Sequence, residues 1–594
     1  MNWGILKETV LPFFQRHWER ALKVREYIRI NEETIHVVLA GIVGIAGGLT
    51  NVLFVGLIDL GMRAGLRQSG DLVEIAESLQ PWQRLLTPVI GGLVAGLVLF
   101  FGLRLMGKQG ANNIIEVVIA GDGRLQMRSA LVKGVASMIS IATGASIGRE
   151  GSITHLTATF ASKGGQLANW PPYRLRLLVA CGAASGMAAA YNAPVAGAVF
   201  AAQIVLGNFS MHLFAPLVFS SVIATMVSRT FFGIEPFYEV PSYDFTRLGQ
   251  LPWFLVLGML SGLLAATFLK MLRHSEQWFI ALKVPIYIRL MIGGLVVGIL
   301  AIFFPQVWGN GYGAINQILH KHPTLVFLFG VLLAKLLATI ASVGSGAIGG
   351  VFTPTLFLGA ALGSLVGALL HSLELTTLPT GAFAIVGMGS VLAATIHAPL
   401  LAMIMIFEIS LNYSMMPPLM LACVVSTLVS RRLHPESIYT EPLRIKGFAA
   451  QQDTHELGAA IQTSVGEIMR ERVEPLRDTT SFRAIADRFL TSPYNYLPVV
   501  DENQRLLGVV ALHDMKEYLG AEHELHSVIA VDIMRPPPAC LTPNQKLMDV
   551  VPLLLKSELR NVPVVNTLND FKLVGSISRA EALSLVSETI SKKQ

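Results

Sequence analysis

GASIGREGSITHL, residues Gly144 to Leu156, sets Arg149 and Glu150 side by side within one of the most apolar parts of a 594-residue chain. Only 14% of the residues are charged and 53% are hydrophobic, with a mean hydropathy of +0.57, whereas a soluble domain carries about 25% charged residues. The chain therefore reads as a polytopic membrane protein. Between Arg176 and Arg229 no Asp, Glu, Lys or Arg occurs, far more than the ~20 residues one helix needs to cross a bilayer, so more than one crossing fits there. Ile35 to Ile58, Leu85 to Leu103, Pro252 to Leu269 and Leu290 to Phe304 are further runs rich in Gly, Ala, Leu and Val, the makeup of packed membrane helices. A carboxylate at membrane depth costs about 2.5–3.5 kcal/mol on insertion scales, so Glu150 signals a functional site.

The same stretch has a second copy. Shifting the chain by 202 residues aligns LVKGVASMISIATGASIGREGS, from Leu131, with LAKLLATIASVGSGAIGGVFTP, from Leu333. Lys133 then meets Lys335, Gly144 meets Gly346 and Gly148 meets Gly350. Further on, a shift of 205 pairs Gly182 with Gly387, Pro194 with Pro399 and Gln203 with Glu408. Two matched blocks in one order predict two halves of common design, inverted in the membrane with the site between them. Each half breaks a helix at glycines before a new helix begins, which lipid tolerates only where the backbone is buried in protein or lines a cavity. Two helix N-termini meeting at the midplane offer N–H groups and partial positive charge, an anion site without a lysine to hold the ion too tightly.

After Arg431 and Arg432 the texture becomes that of a soluble domain, and it too repeats. EIMRERVEPL is echoed by DIMRPPPACL, with Met469 recurring as Met534 and Pro498 as Pro563, both after 65 residues. Each copy runs from a leading turn through a helix to a PVV strand and a second strand, LLGVVAL or KLVGSIS. This resembles a tandem pair of CBS domains. The resemblance implies either a cleft that, as often in that family, binds an adenine nucleotide, with Asp514 and Glu581, six residues after Gly508 and Gly575, on the ribose, or a dimerisation and structural module with no ligand.

With the CBS pair, GREGS at Gly148 to Ser152, GGVFTP at Gly349 to Pro354 and the two lysine-bearing helices before them, the chain resembles the CLC family of chloride channels and proton-coupled anion antiporters. The resemblance implies an all-α polytopic membrane protein with two inverted repeats and broken helices, plus a C-terminal α/β tandem CBS module. It implies a homodimer with one pore per subunit. Glu150 would be the gating glutamate whose carboxylate competes with the anion. The anion would meet Gly148, Arg149 and Gly151, the backbone N–H groups of Val351 and Phe352, and the hydroxyl of Tyr439 in ESIYTEPL.

Two departures bear on mechanism. The family's GSGIP loop is KQGAN here, Lys108 to Asn112, keeping Gly110 and placing Gln109 where the pore serine would be; an amide can donate to an anion but is bulkier. Ser152 replaces the proline of GREGP and is able to cap the helix start. The inner glutamate that relays protons in the antiporters corresponds to Gln203 and Ile204, neither of which titrates. The expected function is thus a gated chloride channel, with a chloride/proton antiporter as the alternative and a CBS-regulated metal-cation transporter behind it. His155, His212 and His397 lie in apolar stretches, where a packed histidine is the expectation. Glu408 is expected to fix helix packing through hydrogen bonds.

The remaining expectations concern organisation. Residues 1–34, with Lys7, Arg16, Arg20 and Lys23 interleaved with Trp3, Phe13 and Trp18, read as an amphipathic cytoplasmic helix on the membrane surface. A CLC-type domain over 35–447, its halves at about 35–230 and 250–447, a linker over 448–463, and CBS copies over 464–520 and 528–588 follow. Both termini are expected in the cytoplasm of a cell with an inner or plasma membrane. Cytoplasmic basic flanks account for the net charge of +6 without a nucleic-acid partner. Cys181, Cys423 and Cys540 have no metal-ligand spacing and suggest no disulfide framework. No nucleophile, metal or cofactor constellation of an enzyme is visible.

Overall fold

The computed structural model describes residues 32–105, 113–445 and 464–582, apart from short stretches within them. Residues 1–31 of the expected N-terminal helix, Gln109, Gly110 and Glu581 lie outside the described residues. Contacts divide the chain into two units, Met1–Phe448 and Ala449–Gln594.

The first unit is helical, and its principal helices fall into two matching series. The first series is α1 (Glu32–Leu66), α2 (Pro81–Arg104), α3 (Met127–Ala142), α4 (Glu150–Leu167), α5 (Pro172–Tyr191), α6 (Pro194–Phe200) and α7 (Met211–Phe232). The second is α8 (Leu251–Ala281), α9 (Ile286–Phe303), α10 (Leu325–Gly344), α11 (Phe352–Ser372), α12 (Thr380–Ile396), α13 (Pro399–Ser410) and α14 (Met416–Leu433). Packing obeys the same correspondence: α4 lies on α5 as α11 lies on α12, and α1 on α7 as α8 on α14. Among the described residues, seven helices are long and apolar enough to span a membrane, and shorter apolar ones such as Thr380–Ile396 lie among them. The uncharged stretch from Arg176 to Arg229 holds most of α5, all of α6 and most of α7, of which α7 is long and apolar enough to span a membrane.

The halves meet where α2 packs on α9. A Cβ at Gly92 would land on the Leu290 carbonyl, and one at Gly294 on the Pro88 carbonyl. Small residues let backbones approach closely, which membrane helices need because lipid supplies no hydrophobic drive between them.

The second unit holds two small α/β copies. In the first, β1 (Leu476–Arg477) pairs parallel with β2 (Tyr496–Val500), β2 pairs antiparallel with β3 (Leu506–Ala511), and α15 (Phe482–Thr491) packs alongside. The second has antiparallel β4 (Asn561–Val565) and β5 (Leu573–Ser578), preceded by α16 (Leu547–Lys556). Leading segments are exchanged: Arg535 N–H donates to the Val509 carbonyl at 2.9 Å, and Arg470 N–H to that of Ser576 at 2.8 Å. Gly508 and Gly575 allow it, since a Cβ at either would press on the carbonyl of Arg535 or Arg470. Cys181, Cys423 and Cys540 are buried, and none forms a disulfide among the described residues.

Candidate functional site

The two broken helices end alike. After α3, Gly144 takes φ +91° and the N–H of Ala145 returns to the Ser140 carbonyl at 2.9 Å; after α10, Gly346 takes φ +102° and that of Ala347 returns to Ser342 at 3.2 Å. This is a glycine-dependent helix stop in which a left-handed residue lets the chain satisfy an orphan carbonyl. The freed strands then run into each other. Gly148 and Gly350 form an antiparallel bridge, with N–H to carbonyl distances of 2.7 and 2.8 Å. Ser146 adds a bond from its N–H to Ser342 Oγ and one between its hydroxyl and that of Thr339, both 3.1 Å. The irregular backbone is thus buried in protein, where membrane depth permits it.

From this bridge α4 and α11 start. Glu150, the first residue of α4, is 1% exposed, and its carboxylate lies on the first turn of α11. It accepts from the Thr353 N–H and from the Thr353 hydroxyl, both at 3.1 Å. Thr353 has one hydroxyl proton, so when that proton goes to Glu150 the 2.8 Å bond to Tyr191 is donated by the tyrosine. A Cβ at Gly148 or at Gly350 would collide with the carboxylate. These glycines form the cradle that admits an anionic group to the helix start.

A cavity of about 430 Å³ reaches this point, its lining including Lys133, Glu150, His155, Phe200, Phe352 and Tyr439. Gly151 and Val351 also line it. Tyr439, half-buried, sets its ring 5.9 Å from that of Phe200, which is 6.5 Å from Phe352. The predicted residues Glu150, Gly151, Val351, Phe352 and Tyr439, from three separate stretches of sequence, therefore share one cavity. Arg149 lies with its guanidinium carbon 5.4 Å from the Tyr312 ring centroid. Val351 and Phe352 belong to the expected turn, but the hydrogen bonds to the carboxylate come from Thr353. Sequence reasoning missed this threonine, although the motif GGVFTP shows a hydroxyl beside the helix start. Ser152, expected to be able to cap, instead bonds Ser137 of α3 at 2.6 Å.

Beyond α6 the helix widens into a π-turn, Ala201–Leu206, which carries Gln203 and Ile204. Single π-turns of this kind are frequent at functional sites. Glu408, on α13, accepts from the N–H groups of Val195 and Ala196 at 2.9 and 2.7 Å and so caps the start of α6. Lys335, the counterpart of Lys133, is fully buried, donating to the carbonyls of Val307 and Gly309 at 3.1 and 2.9 Å. In the second unit Asp514 is 4% exposed, accepts from the Ala511 N–H at 3.0 Å and pairs with Arg535 of the other copy.

Comparison with known proteins bears on the family and the fold. The profile of the family described as voltage gated chloride channel matches residues 90–431, and that of the CBS domain matches 465–521 and 529–588. A ClcB-like chloride channel protein of Ralstonia nicotianae is 42% identical over 418 residues, 68% of this chain and 96% of that protein. The voltage-gated ClC-type chloride channel ClcB of Escherichia coli O9:H4 is 38% identical over 387 residues, 63% of this chain and 90% of its own. Among solved structures, a slow cyanobacterial Cl⁻/H⁺ antiporter matches with TM-score 0.62 at 26% identity, covering 71% of this chain and 100% of that one.

Proposed function

Because this chain belongs to the CLC family of chloride transport proteins, we propose that it is a passive chloride channel gated by Glu150, one pore in each subunit of a homodimer. The observation that carries the reading is the Glu150 carboxylate seated on the Thr353 turn, where a helix N-terminus and a glycine cradle suit a chloride ion. Carboxylate and chloride then compete: the site conducts when protonation or a high anion concentration displaces the side chain. Gln203 and Ile204 support passive conduction, since neither carries a titratable proton toward the cavity from the π-turn.

Chloride/proton exchange is the second reading, favoured by the likeness to a solved Cl⁻/H⁺ antiporter. Both readings place the protein in an inner or plasma membrane with cytoplasmic termini. At the CBS pair an adenine nucleotide would have to displace Arg535 from Asp514 to reach the carboxylate; calorimetry with ATP and AMP on the intact protein and on Asp514→Ala tests this. The transport question is decided by recording chloride efflux and pH together in proteoliposomes. Chloride movement without proton movement is expected, and protons driven uphill by a chloride gradient would replace the channel with an exchanger.

A further inference from the structure

We propose that Tyr238 receives the Glu150 carboxyl group when an anion displaces it from the Thr353 turn. The inference rests on the gating reading of Glu150 and supplies its missing half. A gate has two resting places, and only the first is occupied in this conformation. The second must offer hydrogen bonds, because a carboxyl group stripped of water and partners is strongly disfavoured whether ionised or neutral.

Outside the residues that line the cavity, three tyrosines are linked to the Glu150 site through Thr353 and Arg149. Tyr191, at the end of α5, is committed to Thr353 at 2.8 Å. Tyr312 begins the short helix Tyr312–His320 and has its hydroxyl within hydrogen-bonding reach of Thr353 and Arg149. Tyr238 comes from the stretch between α7 and α8. Its side chain is 1% exposed, and its hydroxyl is buried without a hydrogen-bond partner among the described residues. Buried polar groups are nearly always paired, so an orphan hydroxyl calls for an occupant.

The candidate occupant is close by. The Tyr238 ring packs edge-on against Tyr312 at 5.1 Å, and the guanidinium of Arg149, the chain neighbour of Glu150, lies 5.4 Å from the same Tyr312 ring. A phenol donates one hydrogen bond and accepts others, and a protonated carboxyl group does the same, so the two form a reciprocal pair. If the carboxyl group arrives ionised, Tyr238 still donates and Arg149, held over Tyr312, balances the charge. The other titratable groups at the site, Lys133, His155 and Tyr439, face the cavity and are present in both positions of the gate.

The test removes one oxygen. Tyr238→Phe keeps the ring and its packing on Tyr312, so an unchanged gel-filtration profile is expected. Chloride efflux is measured from acid to neutral pH for the parent, Tyr238→Phe, Glu150→Ala and the double variant. Loss of the open-state partner should move half-activation to more acid pH and lower flux roughly fivefold at the parent's midpoint. In the Glu150→Ala background, which has no carboxyl group to receive, Tyr238→Phe should add nothing. An unmoved profile in the single variant, or an equal loss in both backgrounds, overturns the assignment of Tyr238. Persistent pH dependence in Glu150→Ala would instead remove the gating reading on which it rests. A structure of Glu150→Gln at high chloride gives a second readout: the amide should lie within hydrogen-bond distance of the Tyr238 hydroxyl, and an amide placed elsewhere overturns the proposal.

Discussion

Two carboxylates, one from each half, sit on the N-terminus of a helix that belongs to the other half. Glu150 of the first half rests on α11; Glu408 of the second rests on α6. Glu408 takes two consecutive backbone N–H groups at 2.9 and 2.7 Å, the arrangement of a fixed helix cap. Glu150 takes one N–H and one hydroxyl, both at 3.1 Å, and opens on a cavity. The lysines diverge in the same way. Lys335 is locked onto two carbonyls, whereas Lys133 faces the cavity. Of the two lysines that the repeat pairs, one is thus a structural fastening and the other faces the cavity; the two carboxylates are not repeat counterparts, Glu408 matching Gln203, yet they divide in the same way.

The largest effect should come from Glu150. Replacing it with Ala should abolish the pH dependence of chloride efflux and raise flux at neutral pH about tenfold, as expected when a site closed most of the time is held open. Retained pH dependence would break the contrast between the two carboxylates. Next is Thr353→Val, which removes the hydroxyl but keeps the N–H. A hydrogen bond to a charged group contributes about 1.5–3 kcal/mol, so the seated carboxylate loses its hold and activation should shift by about one pH unit toward neutral, read from the efflux profile.

Glu408→Ala should act on the fold and leave the gate alone. Loss of the cap should destabilise the protein by about 0.5–2 kcal/mol, visible as a lower Tm in detergent, with the pH profile of efflux unchanged. A flattened profile would make Glu408 part of the gating machinery. The lysines give the finest test. Lys133→Met should reduce chloride flux with thermal stability preserved, while Lys335→Met, which strands two buried carbonyls, should lower stability by about 1–3 kcal/mol. The reverse pattern would mean that the roles of the two halves have been exchanged.

Much of this was legible in the chain itself. The paired breaks at Gly144 and Gly346 follow from glycine spacing, and Glu150 stands out because charge is so costly at membrane depth. Glu408 could be expected to fix packing, being the ionisable member of its pair. Other features carry no one-dimensional signal. The role of Thr353 depends on which way the first turn of α11 faces, which puts its N–H and hydroxyl on the Glu150 carboxylate. The Tyr238–Tyr312 contact joins the stretch between α7 and α8 to the start of a short helix, with no counterpart in the repeat alignment. Arg535 reaches Asp514 only because the CBS copies exchange their leading segments, a tertiary event that sequence spacing does not encode.

The most direct measurement is of the site itself: structures of the parent protein and of Glu150→Gln in bromide, located by anomalous scattering. The account predicts a bromide ion within hydrogen-bond distance of the Thr353 N–H in the variant, in the place that the carboxylate fills in the parent at neutral pH. A variant with that turn empty, or a parent holding bromide there beside an unmoved Glu150, would contradict the claim that carboxylate and anion share one site.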